Sequence, residues 1–171
     1  TRKFLLSAFL IFSVSQYANS QTCGVWEVST SGALLTAVTD ACTAGGGIIK
    51  ISTGTYTLSN PIVLCSNITL EGGYNAGFTT KSSALGTTVL VRDTSNVQSL
   101  PNSGRLVAIE GSTQSNFELR DLTIQVNSSP IGTEQGVSVY ALHLNNCSLY
   151  EIVRCRFIAG NASNGVAGTA L

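Results

Sequence analysis

The sequence predicts an all-β fold, a solenoid of short parallel strands preceded by a single α-helix. Three observations support this prediction: only 11% of the 171 residues are charged, one segment has helical periodicity, and one strand pattern recurs after 33 residues. Gly, Ser, Thr and Asn recur throughout the chain, whereas long helices are usually rich in Ala, Glu, Lys and Arg. The length suits one domain or part of a larger protein.

The first twenty residues have the pattern of a secretory signal peptide. Arg2 and Lys3 form a basic start, the apolar run FLLSAFLIFSV follows over 4–14, and ANS at 18–20 supplies small residues at a cleavage position. The apolar run is about half of the ~20 residues that a membrane-spanning helix needs. The sequence therefore predicts a chain exported to the cell surface or secreted, without a transmembrane anchor, and leaves the oligomeric state open.

Residues 21–47 are predicted to form an N-terminal cap built on one amphipathic helix. Thr30 or Ser31 can cap the start of the helix, and the glycines at 45–47 end it. Helical spacing places five apolar residues on a single face, namely Leu34, Leu35, Val38, Ala41 and Cys42. Because the helix is short and amphipathic, we expect this face to cover an apolar surface.

Residues 48–171 are predicted to form the coils of the solenoid, which we expect to continue beyond this chain. Few of the connections are the two-residue Asn-Gly turns that close antiparallel hairpins, so the strands can run parallel. The predicted strands cover residues 48–52, 67–72, 87–93, 105–111, 117–126, 141–144 and 150–160.

An internal repeat predicts the register between two of these coils. The segments FELRDLTI, which begins at Phe117, and YEIVRCRF, which begins at Tyr150, both carry apolar residues at offsets 0, 2, 5 and 7. This spacing describes two short strands joined by a bend, with the apolar side chains pointing inward. If each segment belongs to one turn, Phe117 stacks on Tyr150, about 4.8 Å away. The other predicted pairs are Leu119 with Ile152, Leu122 with Cys155, and Ile124 with Phe157.

The stretch ALLTAVTDACTAGGGIIKISTGTYTLSNPIVLCSNITLEGG resembles the N-terminal region of right-handed parallel β-helix proteins of the pectin-lyase-like superfamily. The shared pattern is an amphipathic helix, a glycine run, a strand, a GTY turn, an apolar strand, and a strand here written SNITLEG. The later segments EGGYNAGFTTKSS and LRDLTIQV are similar to large secreted surface proteins of Bacteroidetes-type bacteria. The resemblance implies a right-handed single-stranded parallel β-helix with a short N-terminal capping helix.

All five cysteines follow the predicted leader. An odd number in an oxidising compartment leaves at least one thiol unpaired or paired outside the chain. We expect a disulfide between Cys23 and Cys42 that fastens the N-terminus to the helix; the alternative is that several cysteines are small buried hydrophobic residues. The sequence lacks a CxxC motif, and its one histidine lies far from most cysteines, so no metal centre is predicted.

The enzymes implied by the resemblance act on acidic polysaccharides and need specific groups. Lyases use an Arg or Lys base beside acidic residues that bind calcium, and hydrolases use clustered carboxylates. The acidic residues of this chain are scattered singly, and the family's DH, NTD, GDD and GHG motifs are absent. The sequence therefore predicts no catalytic residue and no resident cofactor, and it favours a chain without catalysis over an enzyme.

The repeat brings charged residues together as a candidate ligand-binding site, comprising Glu118, Arg120, Glu151, Arg154 and Arg156. Offset 1 stacks Glu118 on Glu151, and offset 4 stacks Asp121 on Arg154. Arg120 and Arg156 are expected on the same outer face. Stacked carboxylates beside arginines can bind Ca²⁺ or a sugar acid; the alternative is a solvated charge ladder worth a few tenths of a kcal/mol.

The charge of the sequence argues against nucleic acid as a partner. The formal net charge is zero and no basic cluster follows the first three residues, so the chain lacks the electrostatic footprint of a nucleic-acid-binding protein. The sequence predicts an adhesin-like scaffold, secreted or at the cell surface, that binds glycans, surfaces or partner proteins without catalysis. The alternative is the N-terminal portion of a polysaccharide lyase or glycoside hydrolase.

Overall fold

The computed structural model describes residues 24–100, 103–129 and 136–165, and these are mostly β-strand. The predicted leader and Cys23 lie outside the described residues. One α-helix, α1, covers Ser31–Thr43, and a 3-10 turn covers Ser83–Leu85. Among the described residues, none of the helical segments has both the length and the apolar character needed to cross a membrane. The strands in chain order are β1 (Gly24–Val28), β2 (Gly47–Ser52), β3 (Gly54–Leu58), β4 (Ile62–Val63), β5 (Ile68–Tyr74), β6 (Thr88–Arg92), β7 (Gln98–Leu100), β8 (Ser103–Ser112), β9 (Glu118–Arg120), β10 (Leu122–Val126), β11 (Val137–Asn145), β12 (Glu151–Val153) and β13 (Arg156–Ile158).

The strands form three parallel sheets that the chain visits in a repeating order. Sheet A contains β1, β2, β5, β9 and β12; sheet B contains β3, β6, β10 and β13; sheet C contains β4, β8 and β11. From β2 onward the chain passes through A, B and C and then returns to A. Only β7 departs from this order, because it pairs antiparallel with β8. The predicted all-β class with parallel strands and one short helix is confirmed.

Helix α1 packs against the first strands of the sheets with the face that the sequence predicts. Thr30, rather than Ser31, caps the helix: its hydroxyl accepts a hydrogen bond from the Ala33 amide at 3.3 Å. The Ser31 hydroxyl instead accepts from the Thr57 amide in β3 at 2.9 Å. Of the predicted face, Leu35 and Cys42 lie half-buried at its rim. The fully buried residues are Leu34, Ala37, Val38 and Ala41.

The glycines that follow α1 are needed for close backbone approach. Gly46 has φ +128°, and a Cβ there would lie 2.5 Å from the Asn67 carbonyl oxygen. The Asn67 side chain donates to the Gly45 carbonyl at 3.2 Å, and Asn116 donates to Asn67 at 2.8 Å. Asn67 and Asn116 both have positive φ, which asparagine tolerates better than most residues. The glycine run therefore builds the scaffold, as the sequence predicts.

The predicted register over 33 residues is confirmed. The rings of Phe117 and Tyr150 stack with centroids 5.2 Å apart, and Leu119 lies opposite Ile152. Ile124 lies opposite Phe157 in the next sheet. As the repeat predicts, each segment is two short strands joined by a bend: 117–126 contains β9 and β10, and 150–160 contains β12 and β13. The strands β1, β3 and β7 were not predicted, whereas β4 lies where the resemblance implies an apolar strand. β1 precedes α1 as a member of sheet A.

The predicted pairing of Cys23 with Cys42 is wrong, because Cys42 forms a disulfide with Cys65. Cys42 lies in the last turn of α1, and Cys65 follows β4, one of the strands against which α1 packs. Their Cα atoms are 5.6 Å apart. Cys147 and Cys155 are half-buried free thiols. The chain passes through β2, β3 and β4 between the two bonded cysteines, so sequence spacing alone did not indicate their proximity.

Candidate functional site

A groove of about 640 Å³ lies where sheet A turns into sheet B. One wall comes from β5 and the loop after it, which contribute Glu71 and Lys81. The other comes from two stacked bends, Asp121 between β9 and β10 and Arg154 between β12 and β13. The predicted stack of Asp121 and Arg154 at offset 4 thus lines this groove.

Four charged side chains form a continuous network in this groove, which we call the groove network: Glu71, Lys81, Asp121 and Arg154. The Lys81 ammonium lies 2.6 Å from the Glu71 carboxylate and also contacts the Asp121 carboxylate. Arg154 binds Asp121 with two nitrogens, and its Nη2 lies 2.8 Å from Asp121 Oδ2. The Arg154 side chain is 66% exposed, against 19% for Asp121. The network therefore presents a guanidinium to solvent and keeps the carboxylates inside.

Glycine at position 72 allows the two walls to approach. A Cβ on Gly72 would lie 2.5 Å from the Asp121 carbonyl oxygen, so a larger residue would push the Asp121 bend away from β5. The adjacent Gly73 has φ +85° and donates its amide to the Thr88 hydroxyl at 2.9 Å. Asp121 itself has φ 55°, a conformation that aspartate and asparagine adopt more readily than most residues. Local backbone geometry thus directs Asp121 towards Lys81.

Both carboxylates of the groove network are ionised at neutral pH. Hydrogen bonds from Arg154, reinforced by Lys81, lower the pKa of Asp121 to about 2 against the opposing effect of its burial. Burial alone would raise the pKa of Glu71, but hydrogen bonds from Lys81 and Tyr74 outweigh it and lower the pKa. A general acid at neutral pH needs a raised carboxyl pKa, so neither residue is suited to that role.

Tyr74 connects the groove network to the outer face of sheet A. Its hydroxyl donates to Glu71 Oε2 at 2.6 Å, and burial together with the Glu71 carboxylate raises the pKa of Tyr74 to about 12. The ammonium groups of Lys50 and Lys81 lie 5.4 and 5.7 Å from the centre of its ring. These are distances at which a cation is attracted to an aromatic face. The Tyr74 phenol is therefore protonated at neutral pH. It holds Glu71 by a hydrogen bond and Lys81 by a cation–π contact.

Glu118, Arg120 and Glu151 lie together on the outer face of sheet A. Glu118 is directly opposite Glu151, as the repeat predicts. Arg120 bridges these like charges, with Nε 2.6 Å from Glu118 Oε2 and Nη2 3.2 Å from Glu151 Oε2. Arg120 also lies opposite Glu71 of β5. The bridging arginine explains how two carboxylates are accommodated in neighbouring strands.

Arg156 does not belong to this cluster, and the expectation that it shares an outer face with Arg120 is wrong. Arg156 lies in β13 of sheet B, opposite Thr123, whereas Arg120 lies in sheet A. The bend at Arg154 separates the two directions. Within the described ranges Arg156 makes no salt bridge. It is an exposed arginine close to the groove in sequence but outside the groove network.

Sequence reasoning missed Lys81 and Glu71 as site residues. Glu71 had a detectable signal, because NITLEG repeats the first half of the later segments and places Glu71 in the column of Arg120. Lys81 had none, since it lies in the loop between β5 and β6, outside the repeating register. Of the groove network, the repeat predicted Asp121 and Arg154 and could also have placed Glu71, but it gave no indication of Lys81.

These residues do not fit a Ca²⁺ site. Calcium takes six to eight oxygen ligands, and the carboxylates here are already bonded by Lys81, Arg120 or Arg154. Across residues 24–100, 103–129 and 136–165, no three or more His, Cys, Asp or Glu side chains form a group that could hold a metal ion. The site is better suited to an anionic ligand approaching the exposed guanidinium of Arg154.

We expect the substitution Asp121→Asn to flatten the acid side of the stability profile. The ordinary pKa of 3.8 falls to about 2 in the folded chain. The ionised Asp121 therefore contributes stability above about pH 4, and this contribution is lost as the pH falls towards about 2. Asparagine keeps the shape and tolerates the same backbone conformation. Urea unfolding at several pH values should show a smaller loss of unfolding free energy between about pH 5 and 2 for D121N than for the unchanged chain.

The exposed Asp40 of α1 provides the matched control for this prediction. The substitution Asp40→Asn removes a carboxylate with no salt bridge in the described part of the chain, so it should leave the acid slope unchanged. Parallel slopes for D121N and the unchanged chain would contradict the assignment of the low pKa to the groove network.

The site can bind and orient a ligand through Arg154 and the hydroxyl groups of the groove wall, such as Thr87 and Thr123. Its carboxylates are ionised and paired.

Comparison of the chain with protein-family models, curated proteins and solved structures found no match. The functional evidence is therefore the geometry of the groove and the order of the strands.

Proposed function

We propose that the chain is a right-handed parallel β-helix of the pectin-lyase-like type. The repeated passage through sheets A, B and C supports this proposal, since each circuit of three strands stacks on the one before. The stacked columns of buried residues support it further, because Ile49, Leu70 and Leu119 lie in register across three strands of sheet A. Helix α1 would then cover the first turn.

The function that the geometry supports best is that of an exported, adhesin-like scaffold that binds acidic glycans without cleaving them. The single observation that carries this proposal is the groove network. Its carboxylates are ionised and paired, while the Arg154 side chain is 66% exposed at the rim. Guanidinium groups bind carboxylates with strong, charge-assisted hydrogen bonds. A uronic acid carboxylate at Arg154, with sugar hydroxyls against Thr87 and Thr123, fits the groove.

Ion pairing also weighs against the alternative, a portion of a polysaccharide lyase or hydrolase. A base for proton abstraction must be able to release its own proton near neutral pH. Hydrogen bonding to Asp121 instead raises the pKa of Arg154. Hydrolysis needs one carboxyl to donate a proton, whereas the pKa values of Glu71 and Asp121 are both lowered. We therefore propose binding rather than cleavage at this groove.

Binding of polygalacturonate to the full chain tests the proposal. Calorimetry should detect binding of the acidic polymer and none of a neutral glucan. The substitution Arg154→Ala should weaken the affinity about tenfold, because it removes the groove cation that bonds the uronate carboxylate. Arg156→Ala is the control, since Arg156 is an exposed arginine two residues away and outside the groove network.

Two outcomes would overturn the proposal. Equal losses for R154A and R156A would mean that polymer binding is nonspecific charge attraction. Cleavage of polygalacturonate in the presence of Ca²⁺, seen as the ultraviolet absorbance of an unsaturated uronate, would establish the lyase alternative.

A further inference from the structure

We propose that Asp121 is a specificity-determining residue of the groove, which lets one ligand carboxylate bind at Arg154 and rejects densely sulfated glycans. The Asp121 carboxylate lies between the ammonium of Lys81 and the guanidinium of Arg154 and contacts both. It therefore occupies the position that a second ligand anion would need. The inference rests on the proposed glycan-binding function and narrows its ligand to uronate polymers without sulfate esters.

Asp121 occupies one binding edge of the Arg154 guanidinium. Arg154 Nε donates to Asp121 Oδ1, and Arg154 Nη2 donates to Asp121 Oδ2 at 2.8 Å. An arginine side chain has five N–H donors, and these two bonds use two of them. The remaining donors, on Nη1 and Nη2, form a second edge that fits a planar carboxylate. One uronate carboxylate can therefore bind Arg154 while Asp121 stays in place.

Lys81 supplies no further cation for a ligand, because two carboxylates already bind it. Its ammonium lies 2.6 Å from Glu71 Oε1 and also contacts Asp121. The groove network thus contains two cations and two carboxylates, and its net charge is zero. A ligand with a single charge at Arg154 meets little net repulsion. Each additional ligand anion meets the charge of Asp121 or Glu71 without a free cation to balance it.

The backbone holds the Asp121 charge in the groove. The Asp121 amide donates to the Val153 carbonyl at 3.0 Å, and the Asp121 carbonyl oxygen lies where a Cβ on Gly72 would be 2.5 Å away. The Asp121 side chain is only 19% exposed. Water and salt screen a partly buried charge less than an exposed one. Because specificity can come from repulsion of the wrong ligand as well as attraction of the right one, this fixed carboxylate can select between classes of acidic glycan.

Removal of the Asp121 charge tests the proposal. The substitution Asp121→Asn keeps the shape of the side chain and leaves the groove network with two cations and one carboxylate. Calorimetry at neutral pH and low salt should show that D121N binds dextran sulfate about tenfold more tightly than the unchanged chain does, whereas its affinity for polygalacturonate changes by less than about threefold. Unsulfated dextran measures the contribution of the sugar alone. The gain for dextran sulfate should shrink as the salt concentration rises.

Two variants separate selection by Asp121 from a change in the charge of the whole chain. Asp40→Asn changes the net charge of the chain by the same amount, but Asp40 lies exposed on α1, so both affinities should stay unchanged. The double variant Asp121→Asn, Lys81→Met returns the groove to zero net charge with one cation and one carboxylate. It should therefore lose the gain for dextran sulfate.

Four results would overturn the proposal: D121N keeps the preference of the unchanged chain, D121N loses both ligands, D40N gains dextran sulfate binding equally, or the double variant keeps the gain. Loss of both ligands would mean that Asp121 holds the groove together and does not select the ligand. The affinities for dextran sulfate are measured without polygalacturonate. A failure of the unchanged chain to bind polygalacturonate would therefore count against the proposed function and leave the role of Asp121 to be decided by dextran sulfate.

Discussion

Replacement of Arg92 by methionine is expected to lower the free energy of unfolding by about 3–5 kcal/mol, because it removes one half of a buried polar cluster. The Arg92 side chain is completely buried at the end of β6. Its Nε donates to the Val107 carbonyl at 3.1 Å, and Nη2 donates to the Asn96 carbonyl at 2.9 Å. Nη1 donates to the Leu58 carbonyl at 3.2 Å and to Asp93. One guanidinium therefore joins β3, β6, β8 and the loop after β6.

The large effect follows from what remains after the substitution. Methionine fills much of the same volume, so the loss is not mainly a packing loss. The carbonyls of Val107 and Leu58 lose a charged donor in a buried setting, and each such loss costs about 1–3 kcal/mol. Burial also lowers the pKa of Arg92 against the opposing effect of Asp93. The guanidinium nevertheless stays protonated, because arginine keeps its proton in folded proteins.

Two variants separate this mechanism from a general loss of positive charge. Arg156→Met removes an exposed arginine and should change the unfolding free energy by less than about 0.5 kcal/mol. Arg92→Lys keeps the charge but supplies fewer donors in a different geometry, so its loss should lie between those of the other two variants. Urea unfolding measures the free energy of unfolding of the three variants, Arg92→Met, Arg92→Lys and Arg156→Met. An R92M chain within about 1 kcal/mol of the unchanged chain would show that the buried cluster does not stabilise the fold.

Arg92 also shows where sequence reasoning reaches its limit. Strict alternation in β6 places Thr88, Leu90 and Arg92 on the inward face, and all three are buried. The inward position of an arginine was therefore readable from the strand pattern. Its acceptors were not, because they are backbone carbonyls whose positions depend on how three strands and a loop meet. Sequence patterns describe which side of a strand faces inward, but not which carbonyls converge there.

The repeat explains why half of the candidate site was predictable. Residues 33 positions apart occupy the same place in successive circuits, so the stacks of Glu118 on Glu151 and Asp121 on Arg154 follow from counting. Lys81 enters the groove from a loop that has no equivalent in the repeat. Each repeat passes from sheet A to sheet B at its bend, so Arg120 lies before the bend and Arg156 lies after it. The spacing of residues along the sequence did not show this change of sheet.

Loss of the disulfide between Cys42 and Cys65 is expected to lower the free energy of unfolding by about 3 kcal/mol. The two cysteines are 23 residues apart, and a cross-link closing a loop of this size restricts the unfolded chain by about that amount. In the folded chain the bond ties the last turn of α1 to the end of β4. The double variant Cys42→Ser, Cys65→Ser should therefore unfold at a lower urea concentration than the oxidised unchanged chain.

The controls distinguish the observed pairing from the one that the sequence suggested. Cys23→Ser should leave the unfolding free energy unchanged if Cys42 bonds to Cys65, whereas it would reproduce the full loss if Cys42 bonded to Cys23. A reductant should destabilise the unchanged chain by about as much as the double substitution and should have little further effect on the double variant. Stability that is lost in C23S and retained in Cys65→Ser would overturn the pairing. The cap formed by α1 would then be fastened to the N-terminal segment and not to sheet C.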